Sequence, residues 1–520
     1  MSFIKTKAPS QDGSVLIQPD PSQISLALEE NKELFSRFSF EVAGLSAQAF
    51  REETRKEFFS LAKAYTTQVM PLESPLPSTL HDPEFKIIQT GHQPGFSHPG
   101  IMLKYSLLDL LSKKFDGLGV NLAVDHDIAG QIGCSLPSEL EPGTTRHENL
   151  FSEVESMPLE YITAPAPTEI QRFFSSIEKH LSEPHFRTLL SNFRKWKTLV
   201  SKQPKDHLKT ATDFLVSARR SFFHEQRNIS VDIPVSLLSG SQMFLHFFLH
   251  IAKHAELFIS VYNSELSKYR KEHKVRYAAN PFPDLKSDGE LFELPFWFFY
   301  RKKRHTLFVK TVKGKTVLFS GGKELTALPT PGNPSSLDPA LRKQLRPKAI
   351  PLTLFNRLFF SDIFVHGTGG GKYDEITDGV IKSFFKVSPP KYITATLTRF
   401  PNVPIESQGN KIEKLESKLR DTRFNPDRYV KNMDEQTKRK QALLEEIKKP
   451  GADRKTIGIE IKSINQNLLP LVVPVQQKLL DELSALKEEE KRFTSVQRRD
   501  FPYFFFSPED IMAPLCKLVE

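Results

Sequence analysis

The sequence predicts an α/β fold: a parallel sheet core with helical insertions, followed by a C-terminal antiparallel coiled-coil hairpin. Three observations lead there. Short apolar runs alternate with amphipathic helices through Gly-rich turns, which is the pattern of βαβ units. Two of those turns, GHQPGFSHPG at 91–100 and GTGGGK at 367–372, join a strand-like run to a helix. Residues 411–500 hold 21 Lys/Arg and 16 Asp/Glu, a density well above the 26% charged residues of the chain, with apolar positions stepping by three and four.

At about 100–200 residues per domain, 520 residues suggest two to four packed units. With 39% hydrophobic residues and 42 Phe, there is ample material for a core, which argues against global disorder. Two cysteines, Cys134 and Cys516, exclude a disulfide framework and a four-thiolate zinc site, and fit a reducing compartment. The opening MSFIKTKAPS has no apolar signal core. The longest apolar stretch, Met243 to Ala252, falls well short of the ~20 residues that span a bilayer. The expectation is a cytoplasmic protein with no membrane partner. A net charge of +10 favours anionic partners, but the basic residues are spread along the chain and do not single out nucleic acid.

In order, residues 1–84 read as an N-terminal helical extension: Pro-rich to about Pro21, then a helix from Ala47 to Val69 with Phe50, Phe58, Leu61 and Tyr65 at helical spacing, then a second Pro cluster at 71–83. Residues 85–408 form the core. FKIIQT is a strand, IMLKYSLLDLLSKKF a helix and VNLAVD a second strand. About 150–230 is a charged helical insertion, after which VDIPVSLL and SGSQMFLHFFLHIAKHA return to strand and helix. Phe292 to Phe319 holds three β-type runs, a second insertion at about 290–320. A helical IPLTLFNRLFF, strand SDIFVH, the GTGGGK turn, helix DEITDGVIKSFF and strand YITATL complete the core. The hairpin spans 409–492, broken at Pro450 and Gly451, with Pro470 and Pro474 kinking or restarting its return arm. The tail, 493–520, carries RRDFPYFFFSPEDIM and is expected to dock on the core.

Three segments offer chemistry. The first turn, Gly91 to Gly100, falls where ligands bind at the carboxyl edge of a parallel sheet. Its helix end supplies N–H groups for an anion, and His92 and His98 could donate to phosphate or act as acid; a plain Gly/Pro turn with capping histidines is the alternative. The second, Asp125-His126-Asp127, could orient an amine, act as base or bind a metal, although strand alternation keeps all three from one ligand unless the strand has ended. A solvated strand-end turn is the alternative. The third, His366 to Asp374, puts Gly369, Gly370 and Gly371 where positive φ is cheap, so backbone N–H groups could form an anion nest beside Lys372. It lacks the Walker A ending, and a flexible connector is its alternative. Tyr262-Asn263, with Tyr269-Arg270 on the same helix, could line a cleft, a packed helix with a polar edge being the alternative; Glu293 beside Trp297 could recognise an amine, an edge strand carrying Pro295 being the alternative. Cys134 reads as a small buried residue.

In order and placement these motifs resemble the cysteine-adding bacillithiol synthase family. Its members carry a G-Q-Q-x-G-L turn in a Rossmann-type domain, a Lys-bearing helix, an E-D-H-D strand end, a late Gly-Gly-Pro loop and a C-terminal coiled-coil hairpin. Gly91-His92-Gln93-Pro94-Gly95-Phe96 with Lys104, then Val124-Asp125-His126-Asp127, then Gly369-Gly370-Gly371, then 409–492 take those places over about 85–515. His92 stands where the family has Gln, Val124 where it has Glu, and Lys104 falls about two positions early. The late loop continues Lys372-Tyr373-Asp374-Glu375 in place of Pro and Glu. The family is in turn similar to class I aminoacyl-tRNA synthetases, whose first Gly/His turn and late loop hold a nucleotide.

The resemblance implies a Rossmann-type core and a ligase that joins an amino acid, cysteine in the family, to the amine of a small sugar or metabolite. The residues then take expected roles. His92, Asp125, His126 and Asp127 are catalytic. Gly91, Gly95, His98, Gly367, Gly369, Gly370, Gly371 and Lys372 hold the cofactor, for which ATP and magnesium are the candidates. Gln93, Lys104, Asn263 and Trp297 touch substrate, and no resident metal is expected. The alternative is a non-catalytic nucleotide- or RNA-binding protein, with the hairpin used for binding through Lys411, Lys414 and Lys418 or for homodimerisation.

Overall fold

The computed structural model describes residues 7–70, 76, 85–137, 145–152, 156–224, 230–277, 280–329, 334–404, 406–430 and 435–519. Apart from residue 76, the Pro cluster at 71–83 lies outside the described residues. The chain divides into two compact units. One comprises 1–136, 147–401 and 499–520; the other comprises 137–146 and 402–498.

The first unit is built on a six-stranded sheet in the order Val15–Gln18, Tyr392–Leu397, Ile363–His366, Lys86–His92, Gly117–Ala123, Val231–Pro234. All pairs are parallel except the edge strand Val15–Gln18, which runs antiparallel to Tyr392–Leu397. The chain enters at the centre with Lys86–His92 and builds outward through Gly117–Ala123 and Val231–Pro234. It then returns to the other side of the first strand with Ile363–His366 and Tyr392–Leu397. This is the Rossmann-like α/β order. Its direction reverses between Lys86–His92 and Ile363–His366, the topological switch point where such sheets bind ligands.

The N-terminal 84 residues do more than extend this core, since they supply its edge strand and a covering helix. Ala47–Val69 buries Phe50 and Phe58 against Phe355, Phe359 and Phe360. From the same helix, Arg51 and Arg55 hold the Asp362 carboxylate at 2.6 and 2.9 Å, and Asp362 also accepts the Ile87 N–H at 2.6 Å. One buried carboxylate thus ties the helix to the starts of both switch-point strands.

The 150–230 insertion is helical, with Pro167–His180, Arg187–Lys202 and Ala211–Phe222. These helices hold the aromatic tail. Trp196 stacks on Phe504 at 4.4 Å, and Phe96 from the first glycine turn packs against Phe173 and Phe504. Tyr503 N–H donates to the Ser97 carbonyl at 2.8 Å. The second insertion is a five-stranded antiparallel sheet: Lys323–Ala327, Lys315–Ser320, Lys303–Val312, Phe292–Tyr300 and Leu345–Pro347. No single helix among the described residues is long and apolar enough to cross a membrane.

In the second unit, Gly409–Phe424 and Glu435–Glu446 pack against the long Arg454–Val496 helix. The outgoing arm is therefore two helices, separated by a turn at Pro426–Arg428. Gln476 Nε2 donates to Thr422 Oγ1 at 3.0 Å and Lys487 pairs with Glu416 at 2.7 Å, an antiparallel pairing. Pro470 and Pro474 sit inside the return helix without ending it. Lys411, Lys414 and Lys418 are exposed.

Candidate functional site

Two helix starts bound the switch point, and they differ. Pro99–Lys114 begins with Pro, whose missing N–H suits the first helical position. His98 Nδ1 accepts the Gly100 N–H at 3.1 Å, and the Ile101 N–H returns to the His98 carbonyl at 2.9 Å. This end satisfies itself, so it does not supply the free N–H groups expected of it. Gly100 is required for packing. A Cβ there would stand 2.5 Å from the Leu397 carbonyl oxygen and 2.7 Å from Thr396 Oγ1.

The other start is Thr368–Val380, with Gly367 as its uncapped N-terminal neighbour. Gly369, Gly370 and Gly371 belong to this helix and are not among the positive-φ glycines, so the left-handed nest read from the triple glycine does not form. The N–H groups of Thr368, Gly369 and Gly370 find no acceptor among the described residues. Such an end concentrates orphan donors and a partial positive charge. A Cβ on Gly369 would meet nothing within 4 Å, while one on Gly371 would collide with Thr394 Oγ1 at 2.4 Å. Behind the turn, His366 Nε2 lies 2.8 Å from the Asp374 carboxylate, which Arg357 also holds at 2.6 Å.

Both starts open on one cavity of about 800 Å³. Gly91, His92, Gln93, His98, Lys104, His126, Asp127, Trp297, Gly367, Gly369 and Gly370 line it, so eleven of the sixteen candidate residues come together from distant parts of the chain. Five do not. Gly95 faces a much smaller pocket behind the turn, with Tyr105, Asn121 and Arg219. Asp125 is buried, its carboxylate taken by the N–H (2.9 Å) and hydroxyl of Ser236. Asn263 spends both ends of its amide on the Leu285 backbone, at 2.8 and 2.9 Å. Gly371 packs against Thr394, and Lys372 is exposed on the outer face of its helix.

The cavity also recruits residues that local reading did not select, among them Arg499, Lys348, Phe282, Pro283 and Leu352, and it takes Tyr262 from the helix segment that the sequence offered as a cleft wall. Arg499 follows the long helix of the second unit, and its Nη2 donates to Thr396 Oγ1 at 2.8 Å. Its only sequence signal was a basic pair before the aromatic tail.

Charge is distributed unevenly. Lys104 is 2% exposed and donates to the Gly91 carbonyl at 3.0 Å, with no acidic partner among the described residues; burial lowers its ammonium to about 8. Burial, with Lys104 close by, takes His92 down to about 3, and its Nδ1 lies 2.9 Å from the Gln93 carbonyl. Burial and Arg499 take His98 to about 4. Burial likewise lowers His126 to about 4, against the pull of Asp127. Burial pushes the Asp127 carboxyl up, but His126, Gln93 and Arg304 outweigh it and hold the group below its usual range. Gln93 Nε2 and Arg304 reach its two oxygens at 2.7 and 2.6 Å. Burial and the nearby Glu160 raise Asp125 to about 7. No group of three or more His, Cys, Asp or Glu among the described residues is placed to hold a metal ion.

No protein-family model matches the chain, and no curated protein matches it. Among solved structures, a tryptophanyl-tRNA synthetase from Plasmodium falciparum aligns over 84% of this chain and 94% of its own, at 9% identity and a TM-score of 0.19. That likeness is too weak to carry an argument about activity; the Rossmann-like assignment rests on the strand order.

Proposed function

We propose that the protein is a carbon–nitrogen ligase of the bacillithiol-synthase kind, which joins the carboxyl of an amino acid to the amine of a small acceptor in the switch-point cavity. One observation carries this reading: the uncapped Thr368–Val380 helix and the buried, acid-free Lys104 open on the same space as Asp127 and His126. The first pair suits an anion, a nucleotide phosphate or a malate-like carboxylate. The second suits an amine and its proton.

The donor set fits the phosphates of ATP. The Thr368, Gly369 and Gly370 N–H groups, Lys104 and Arg499 would hold its phosphates, and magnesium would be carried by those phosphates. When bound, ATP would supply activation of the donor carboxyl. The chain's own groups would do the rest. Lys104 and the helix end would orient and neutralise the anion. Asp127, held ionised by Arg304 and Gln93, would accept hydrogen bonds from the attacking amine. Neutral His126 or His92 would take its proton.

The test is a thermal-shift screen of the full chain with pyrophosphate, ATP, malate, amino acids and amino sugars, with and without magnesium. Pyrophosphate or ATP should raise the midpoint of the wild type. Lys104→Met should abolish that rise, and so should Gly369→Phe, whose Cβ would meet nothing within 4 Å and whose ring would occupy the cavity at the helix start. A wild type indifferent to every anion, or variants that respond as it does, would remove the reading.

A further inference from the structure

We infer that the amino acid taken by this cavity has an aromatic or large apolar side chain rather than the thiol that the family resemblance implied. The inference rests on the ligase reading above and concerns which side chain that site accepts. Away from the helix ends, the cavity lining includes Tyr262, Phe282, Pro283, Trp297 and Leu352, beside Lys348, Ala349 and Thr353. These residues converge from the Ala255–Glu272 helix, the loop after it, the five-stranded sheet and the Ala349–Phe355 helix.

The cations beside the Trp297 ring are already matched. Lys348 pairs with Glu293 at 2.5 Å and lies 4.4 Å from the Trp297 ring centroid. Arg304 pairs with Asp127 at 2.6 Å and lies 5.7 Å from the same ring. The Glu293 carboxylate, which looked in the sequence like an amine receptor beside Trp297, is spent on Lys348 and on the Lys286 N–H. What remains for a ligand is the apolar surface of Tyr262, Phe282, Pro283 and Leu352 and the part of the Trp297 ring that these cations leave uncovered. Neither free cysteine lies in the lining, and no metal-binding cluster among the described residues offers a thiol-selective ligand set. A small thiol would leave this wall wet. A phenyl or phenol ring would cover it, and burying that extra apolar area should tighten binding about tenfold or more relative to cysteine.

The protein contains its own reporter. It has two tryptophans. Trp196 is 2% exposed and stacked on Phe504, whereas Trp297 is half-buried in the cavity wall. The full chain is titrated with L-phenylalanine, L-leucine, L-cysteine and L-alanine, and separately with ATP, while tryptophan emission and the thermal midpoint are followed. Phenylalanine should change the emission and raise the midpoint at concentrations about tenfold below those needed with cysteine, and leucine should fall between them. Trp297→Phe should lose the emission change but keep the thermal response. Ala349→Trp, which grows from an exposed position into the same space, should abolish both. Cysteine binding as tightly as phenylalanine overturns the inference, as does binding that ignores Ala349→Trp. If ATP still responds in that case, the ligase reading survives; if neither ATP nor any amino acid binds, both fall. An emission change with ATP alone would assign the ring wall to a purine and also overturn the inference.

Discussion

Replacing Gly100 with Ala tests whether the first glycine turn is held by close packing. In a helix, Ala is normally better than Gly by about 0.5–1 kcal/mol. At Gly100 the added methyl would stand 2.5 Å from the Leu397 carbonyl oxygen, 2.6 Å from Arg499 Nη2 and 2.7 Å from Thr396 Oγ1. The first of these is backbone in an interior strand of the sheet and cannot swing away. The helix must retreat, and overpacking of this kind costs about 1–3 kcal/mol. The net expectation is a loss of about 0.5–2 kcal/mol. Gly369→Ala also lies in a first helical turn but meets nothing within 4 Å; it should be neutral or stabilising by a few tenths of a kcal/mol. Urea unfolding of the two variants, with slopes compared to exclude a change in the unfolded state, reads the difference. Since Arg499 is held by the same Thr396 and Leu397 atoms, at 2.8 and 3.2 Å, Gly100→Ala should also weaken pyrophosphate binding. If Gly100→Ala is as stable as the wild type, with an unchanged slope, the close-packing argument is wrong.

Two further predictions concern charge. Folding holds His92, His98 and His250 neutral, at about 3, 4 and 4. The unfolded chain therefore binds more protons between about pH 4 and 6.5, and stability is lost as pH falls through that window, by up to about 1.4 kcal/mol per unit for each histidine. Asp125, raised to about 7, has the opposite sign and contributes a loss as pH rises from about 4 to 7. Urea midpoints across this range should show a shallower acid limb for His98→Gln and a steeper one for Asp125→Asn. Arg346 and Glu160 form a buried ion pair, with side chains 5% and 7% exposed. Arg346→Met should therefore cost about 3–5 kcal/mol in urea unfolding, whereas pairing it with Glu160→Leu should recover most of that loss.

Much of the core was legible because each parallel strand is a short apolar run bounded by a turn signal, and both glycine turns follow such runs. Phase was harder to read. The late helix starts at Thr368, whereas the sequence placed its start after the glycines, and a helix turns about 100° per residue. That earlier start carries Gly371 toward Thr394 and Lys372 out to solvent, while Gly369 and Gly370 stay on the cavity. At Asp125-His126-Asp127 the strand ends at Ala123, and the chain then turns so that His126 and Asp127 reach the cavity while Asp125 goes to Ser236. Arg499 and Lys348 were illegible for a different reason. Each enters through long-range docking, and no local periodicity records which strand a distant arginine will meet.

The same topology explains why the cavity is polarised. At the switch point two adjacent strands send their chains to opposite faces, which leaves a crevice that no crossover fills. The start of one helix is closed by His98 and Pro99, so the Thr368 end is the one left with orphan donors. The buried Lys104 ammonium faces the same crevice with no carboxylate to balance it. An unpaired buried cation and an uncapped helix end are each costly in isolation. Folding tolerates both at one rim, and on the proposed reading a bound anion would neutralise them together. This is why pyrophosphate, rather than a neutral sugar, is the first ligand to try.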